Sequence, residues 1–428
     1  KAYAIKYKGK CVLRFDDTNP EKSAKEFVEA TEEDIVWLKL SYDEKVIAST
    51  HMEVYYKYAE QLIDIKKAYV CFCAQEQVKL GREKRERCSC STKYNAKEEW
   101  KKMLQGRYKE GQCSLRLIAD MSSDNGVLRD PVIMRISLHP HYLQKEKYKV
   151  WPTYDFESSI EDSVLGITHV IRSKELELRL PLHNLIKDML KLSKEHIYEI
   201  GRFNIIGHTT QGRELKELVQ SGKVKGWDDP RLVTIKALRR RGFDPETFWD
   251  LAKEVGLSKS ETNINEEMLE TLNRKRIDKK AKRYFMIEDP ERIMISDHKL
   301  KETKVPLHPE VREHGYKIIE ISNKFYVEDE IKKGKIYRFM HLFNFKDNKF
   351  ISESYDPKLN AQLIHWLPVT KDLVNVEILM KDGTTKQGLG EPALKELKID
   401  EVIQFERKFF ARLERKEKDK LYFVYTNK

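Results

Sequence analysis

No stretch of this 428-residue sequence approaches the roughly 18–20 consecutive apolar residues that a membrane-spanning helix needs. The opening residues, Lys1-Ala2-Tyr3-Ala4-Ile5-Lys6, hold no apolar signal core. Secretion is therefore unsupported and a cytoplasmic location is expected. These residues read like the middle of a domain rather than an amino terminus. Internal repeats and low-complexity tracts are also absent, which removes solenoids and arrays from consideration. Cysteine is scarce: six residues occur, Cys11, Cys71, Cys73, Cys88, Cys90 and Cys113. Four of them form two Cys-x-Cys pairs, and in a Lys-rich chain without a signal such pairs more often hold metal than disulfides.

What is present is charge. Charged residues make up 35% and apolar residues 40%, the composition of a globular protein with a heavily solvated surface. The length allows two to four domains. A net charge of +11 favours a polyanionic partner mildly. Its distribution says more. Arg213–Arg241 holds nine basic residues against four acidic, and Arg274–Arg283 seven against one. One such cluster reads as a solvated helix face; two on a basic chain point toward nucleic acid.

Along the chain, residues 11–15 read as a strand that ends in Asp16-Asp17-Thr18-Asn19-Pro20, a turn and helix-start signal. Residues 21–38 and 51–66 read as helices, the second with Tyr55, Tyr58, Ala59 and Leu62 at helical spacing. Strand followed by helix predicts an α/β unit. The Cys-rich stretch 68–149 breaks that rhythm and reads as an insertion. A strand–helix pattern returns over 150–192, where Leu182, Leu185, Ile186 and Met189 share a helix face. Residues 213–285 are helix-rich and basic. From about 290 the pattern becomes short β-runs: 317–321, 337–345, 374–380, 402–405 and 421–425, with a hairpin signal at Asp382-Gly383. One or two β-barrels are expected, a form often used to grip single-stranded nucleic acid.

Several motifs carry possible chemistry. Asp16 and Asp17 lie at the carboxyl end of a strand, where ligands sit in open α/β sheets, and a carboxylate there can hold an ammonium group. An Asx turn with a helix cap is an equally good reading. Trp151-Pro152-Thr153-Tyr154-Asp155-Phe156 is an aromatic-dense strand end that by itself reads as core. Arg172 closes the apolar segment 166–171, and a buried Arg needs a carboxylate partner, internal or bound. Cys71-x-Cys73, fourteen residues, then Cys88-x-Cys90 supplies four thiolates, enough for a tetrahedral zinc site. Gly226-Trp227-Asp228-Asp229-Pro230-Arg231 with Arg239-Arg240-Arg241-Gly242 reads as a capped helix with phosphate contacts, or as a solvated helix end.

Taken in order, RFDDTNP, WPTYDF, GITH, GWDDPRL and LRRRG resemble the glutamyl- and glutaminyl-tRNA synthetases, and LHPE, YRFMHLFNF and QFERKFFARL extend the likeness across essentially the whole chain. The resemblance implies a class I Rossmann-type catalytic domain in two parts (1–67 and 150–212), split by an acceptor-end domain (68–149). A helical connecting domain (213–285) and anticodon-binding β-barrels (286–428) would follow. The β-rich ending is similar to the archaeal and eukaryotic branch. The activity implied is ATP- and Mg²⁺-dependent activation of an amino acid and its transfer to the tRNA 3′ end, by a monomer. Asp17, with Asp16 adjacent, would hold the substrate ammonium, and Tyr154 would line the pocket. Arg202 would contact ATP and serve catalysis. Trp227, Asp229, Arg231, Arg239, Arg240 and Arg241 would serve tRNA. Arg172 stands where the glutaminyl pattern has Cys, so glutamate is the expected amino acid. The expected partner is tRNA(Glu), with tRNA(Gln) left open.

Two departures from the family pattern stand out. The HIGH motif, which precedes RFDDT in the family, is not in the sequence: the segment that carries it was cut off or left out, or it never existed. The KMSKS-like loop falls on Gln211-Gly212-Arg213-Glu214-Leu215, so Gly212 replaces the phosphate-binding Lys while Arg213 keeps one cation nearby. A non-catalytic tRNA-binding paralogue and a glutaminyl-tRNA synthetase are the alternatives to a glutamate–tRNA ligase.

Overall fold

The computed structural model describes all residues from Lys1 to Lys428. They form two compact units: 1–202 with 257–262, and 203–256 with 263–428. No helix is long and apolar enough to cross a membrane.

In the first unit, strand Val12–Phe15 runs parallel to Glu44–Ile47, and helix Lys25–Trp37 connects them. A second parallel pair, His169–Ser173 with His196–Ile200, is joined through helix Leu180–Leu190. Parallel strands need such crossovers, so these pairs carry the predicted α/β character. The inserted stretch holds an antiparallel sheet of Ala68–Cys71, Ser114–Leu117, Val132–Ile136 and Val150–Pro152. Its last strand therefore lies just past residue 149. Helix Met52–Asp64 buries Met52, Tyr55, Ala59 and Leu62 in one core with Leu115, Ile133, Trp151, Phe156, Leu182 and Ile186. Segment 257–262 returns to this unit: Gly201 N–H donates to Ser258 O at 2.7 Å. A Cβ at Gly201 would meet Ser260 O at 2.0 Å, so glycine alone permits the approach.

The second unit starts with helices Gly212–Gln220, Ile235–Arg240, Glu246–Val255 and Glu266–Ile277. Its β-rich remainder has two apolar cores, one around Phe325, Phe339, Phe343 and Trp366, the other around Val376, Ile403, Leu413 and Phe423. The expected strand over 337–345 is two strands, Ile336–Phe339 and Asn344–Lys346, paired antiparallel across a turn in which His341 has φ +57°. The hairpin at Asp382-Gly383 joins Val374–Leu379 to Thr385–Gly390, with Gly383 at φ +87°.

Candidate active site

Strand Val12–Phe15 delivers Asp16 and Asp17 at its carboxyl end, and the two carboxylates meet different surroundings. Asp17 is 5% exposed and bonded on both oxygens. Its carboxylate accepts from Ser49 N at 2.7 Å, Ser49 Oγ at 2.8 Å and the Tyr142 hydroxyl at 2.9 Å. His141 Nε2 lies 2.9 Å from its carbonyl oxygen. These bonds tie the turn to residues 49 and 141–142 and leave Asp17, the expected ammonium-holding residue, the more enclosed of the two carboxylates. Asp16 is half-exposed and accepts from Arg14 Nε at 2.6 Å.

Below Asp16 runs helix Tyr154–Val164, which buries Glu157, Glu161 and Asp162. Arg14 Nη1 donates to Asp162 at 2.6 Å, and its Nε lies 3.8 Å from Glu157 Oε1. Tyr55 donates to Glu161 at 2.6 Å. Neither Glu157 oxygen has a hydrogen-bond partner in the protein. Burial, and then the Asp16 charge, push its carboxyl well above the usual carboxylate range. Carboxylates outnumber cations here, which suits a bound ammonium group.

Tyr154 begins the same helix and is half-buried. Burial raises its phenol above the ordinary value, while Asp16 and Arg172 act on it with opposite signs. The tyrosine therefore senses both the acid and the arginine. Arg172, on strand His169–Ser173, is 8% exposed. Its Nη1 faces His183 Nδ1 at 3.4 Å, and its Nε and Nη2 have no partner. A buried guanidinium with two unpartnered nitrogens, three N–H groups between them, needs an acceptor that the protein does not provide. His183 continues to Asp155 Oδ1 at 3.0 Å, and Asp155 Oδ2 accepts from Arg179 at 2.6 Å. Arg202 is half-exposed with Glu175 3.4 Å away.

His183, Asp155 and Glu157 were missed by the sequence reading. A signal existed for one: His183 interrupts a buried helix face between Leu182 and Ile186, where a polar residue requires a partner.

Cys71, Cys73, Cys88 and Cys90 converge, their sulfurs all within 4.8 Å of one another. Cys71 and Cys88 are 3.6 Å apart, Cys73 and Cys90 3.8 Å. A tetrahedron with Zn–S bonds near 2.3 Å has sulfur–sulfur edges of about 3.8 Å, so these thiols can hold a metal ion. Arg116 Nη1 lies 3.7 Å from Cys71 Sγ and 3.8 Å from Cys88 Sγ, a cation suited to a thiolate cluster.

In the second unit, Gly212 opens helix Gly212–Gln220 with no atom near its missing Cβ. The Arg213 side chain is 91% exposed, 3.3 Å from Glu217. Asp229 is buried and clasps Arg231, accepting from its Nε at 2.8 Å and Nη2 at 2.7 Å. Lys225 N adds a third bond at 2.8 Å. These bonds, Arg231 foremost, hold the Asp229 carboxyl well below the usual range. The half-buried Trp227 accepts from Thr234 through its carbonyl. Arg239 is exposed, whereas Arg240 is bound by Glu414 at 2.6 Å and 3.1 Å. Arg241 is 1% exposed, bonded to Glu266 at 2.7 Å and Glu270 at 2.9 Å. Of the residues expected to serve tRNA, Asp229 and Arg241 are thus buried and paired within the protein.

Residues 2–279 match the family described as tRNA synthetases class I (E and Q), catalytic domain. Residues 281–363 and 363–414 match two anti-codon binding domains of the same family. Among curated relatives, the glutamate–tRNA ligase of Pyrococcus furiosus is 36% identical over 450 residues, covering 100% of this chain and 78% of the relative. That of Methanocaldococcus jannaschii is 33% identical over 439 residues, covering 100% and 79%. That of Nitrosopumilus maritimus is 36% identical over 433 residues, covering 96% and 76%.

Proposed function

The chain belongs to the class I tRNA synthetases for glutamate and glutamine, and from that premise we propose how its own residues serve a glutamate–tRNA ligase. The observation that carries the reading is Arg172, a buried guanidinium with Nε and Nη2 unpartnered. Such a group matches a carboxylate in charge and shape and leaves a carboxamide with one donor facing a donor. Glutamate is therefore favoured over glutamine. Asp16 takes the substrate ammonium at the other end, and Tyr154 lines the space between them.

In the reaction the glutamate α-carboxylate attacks the α-phosphorus of ATP and pyrophosphate leaves. A ribose hydroxyl at the tRNA 3′ end then attacks the acyl carbon and AMP leaves. Arg202 contacts ATP, and Arg213 supplies a mobile cation for its phosphates. Mg²⁺ would offset phosphate charge. The four cysteines hold one structural zinc ion. Trp227, Arg231, Arg239 and Arg240, with the exposed Arg274, Lys275 and Lys279, face tRNA(Glu), and tRNA(Gln) is the second candidate.

Arg172→Ala in the full-length protein tests the reading. The KM for glutamate should rise by at least tenfold while the KM for ATP stays within about twofold, because the substrate carboxylate loses a charge-assisted pair. Equal effects on both substrates would leave Arg172 a structural role only. Gly212 favours a second reading, a tRNA-binding protein that does not charge. Its mark would be tRNA binding with no glutamate-dependent pyrophosphate exchange.

A further inference from the structure

We propose that His183 is a positioning residue for amino-acid selection, because it decides which edge of Arg172 meets the substrate. The proposal rests on the reading of Arg172 as the glutamate-binding group. A guanidinium offers a carboxylate two bidentate edges, the end-on pair Nη1/Nη2 and the side-on pair Nε/Nη2. Here His183 Nδ1 lies 3.4 Å from Nη1 and engages the end-on edge. The two nitrogens without partners, Nε and Nη2, are the side-on pair. The γ-carboxylate is thus gripped side-on, one oxygen to each nitrogen.

The direction of every bond in this chain follows from what each group can donate. Arginine only donates, so His183 Nδ1 must accept and its proton must sit on Nε2. That Nε2–H donates to Asp155 Oδ1 at 3.0 Å, and Arg179 holds Asp155 Oδ2 at 2.6 Å. Asp155 in this way sets the histidine tautomer, and the tautomer sets the arginine edge. His183 is fully buried, so it acts through its neighbours: it bonds Arg172 and packs against Tyr154, with ring centroids 5.8 Å apart, and the bond to Arg172 is the one that sets the guanidinium edge.

Orientation matters for selection more than for affinity. A fixed side-on edge presents two parallel N–H bonds, which a carboxylate satisfies and a carboxamide does not. A guanidinium free to turn could offer a single N–H to the amide oxygen of glutamine and tolerate it. Loss of His183 should therefore blur the discrimination.

The test is steady-state charging by the full-length protein with glutamate and with glutamine, alongside thermal unfolding. His183→Leu should raise the KM for glutamate about tenfold and cut the glutamate-to-glutamine preference in kcat/KM by at least tenfold, with kcat and the KM for ATP little changed. His183→Asn, whose amide oxygen can stand near the Nδ1 position, should recover most of the preference. His183→Gln, which reaches only the Nε2 position, should not. If the leucine variant does not fold, the Asn and Gln variants decide by themselves: equal preference in the two overturns the proposal. Wild-type preference in a folded His183→Leu protein also overturns it, provided Arg172→Ala abolishes glutamate use. If Arg172→Ala leaves glutamate use intact, the underlying reading of Arg172 fails instead.

Discussion

Asp17 holds Ser49 twice, through the backbone N–H at 2.7 Å and the hydroxyl at 2.8 Å, and so locks the end of one parallel strand to the residues that follow its neighbour. Asp16, one residue earlier, has a half-exposed carboxylate that faces the proposed ammonium site. Asp17→Ala should cost about 3 kcal/mol of stability, because it strands the buried Ser49 N–H and the Tyr142 hydroxyl. Asp16→Asn should leave stability within about 1 kcal/mol and raise the KM for glutamate at least tenfold. Unfolding curves and charging kinetics on both variants check the pair. The reversed pattern would return the ammonium to Asp17.

The cysteine cluster should bind one zinc ion. Protein purified without chelator should contain about one zinc per chain, and Cys88→Ser should lower that content. Stripping the metal should lower the melting temperature, since a closed four-thiolate site contributes to folding. A metal-free protein of unchanged stability would remove zinc from the description.

Glu157 makes stability depend on pH in a definite sense. Its folded carboxyl titrates well above the ordinary range, through burial first and the Asp16 charge second. A carboxyl with a raised folded value stabilises fully below its unfolded value near 4.3, and that contribution is lost as pH rises through the folded value. Glu157→Gln, which cannot ionise, should therefore gain stability relative to the native protein as pH goes from about 5 to 8. The two should converge near pH 4. Urea unfolding across that range measures the difference, and a constant offset would contradict the buried, proton-binding state.

Much of this site was legible because its residues lie at ends of periodic segments. Arg172 follows an apolar run in the sequence, although the structure places it within strand His169–Ser173 as the one buried residue there, and the four cysteines share one spacing pattern. What was not legible depends on partners far away in sequence. Asp16 and Asp17 are adjacent in one turn, and only Ser49, His141 and Tyr142 decide which of them is buried. His183 on an apolar helix face resembles a core residue until Arg172 and Asp155 are placed beside it. Successive residues on a helix turn by about 100°, so Arg239, Arg240 and Arg241 point three ways, and Glu414, Glu266 and Glu270 arrive from distant segments to hold two of them. At 337–345 a continuous β-pattern concealed a turn, since His341 adopts a left-handed conformation that its residue type does not announce.

That division of the three arginines is measurable. Arg239→Ala should weaken tRNA binding evenly across tRNA sequences and lower the slope of log affinity against log salt by about one, as expected for one phosphate contact. Arg241→Ala should instead destabilise the fold by about 2–3 kcal/mol, because Glu266 and Glu270 lose their buried counter-charge and keep only the half-exposed Lys381. Binding titrations over a salt series and unfolding curves separate the two. A normal fold with weakened tRNA binding in Arg241→Ala would restore it to the nucleic-acid surface.

Gly212 is where a phosphate-binding lysine stands in the resembling family, and its surroundings leave room for one. A Cβ there meets no atom within 4 Å. The residue opens helix Gly212–Gln220. Replacing glycine in a helix gains about 0.5–1 kcal/mol in backbone entropy, and a cation at a helix amino terminus loses about 0.3–1 kcal/mol. Gly212→Lys should therefore leave stability nearly unchanged. The added ammonium could reach developing phosphate charge, where one well-placed donor contributes on the order of a few kcal/mol. In the full-length protein the glutamate-dependent activation rate should rise or hold. Arg213→Ala should lower that rate with little effect on tRNA affinity, because its exposed side chain has only Glu217 3.3 Å away to hold it. Pyrophosphate exchange and tRNA titration on both variants measure this. If the native protein shows no exchange and Gly212→Lys restores none, the non-catalytic tRNA-binding reading takes the place of the ligase.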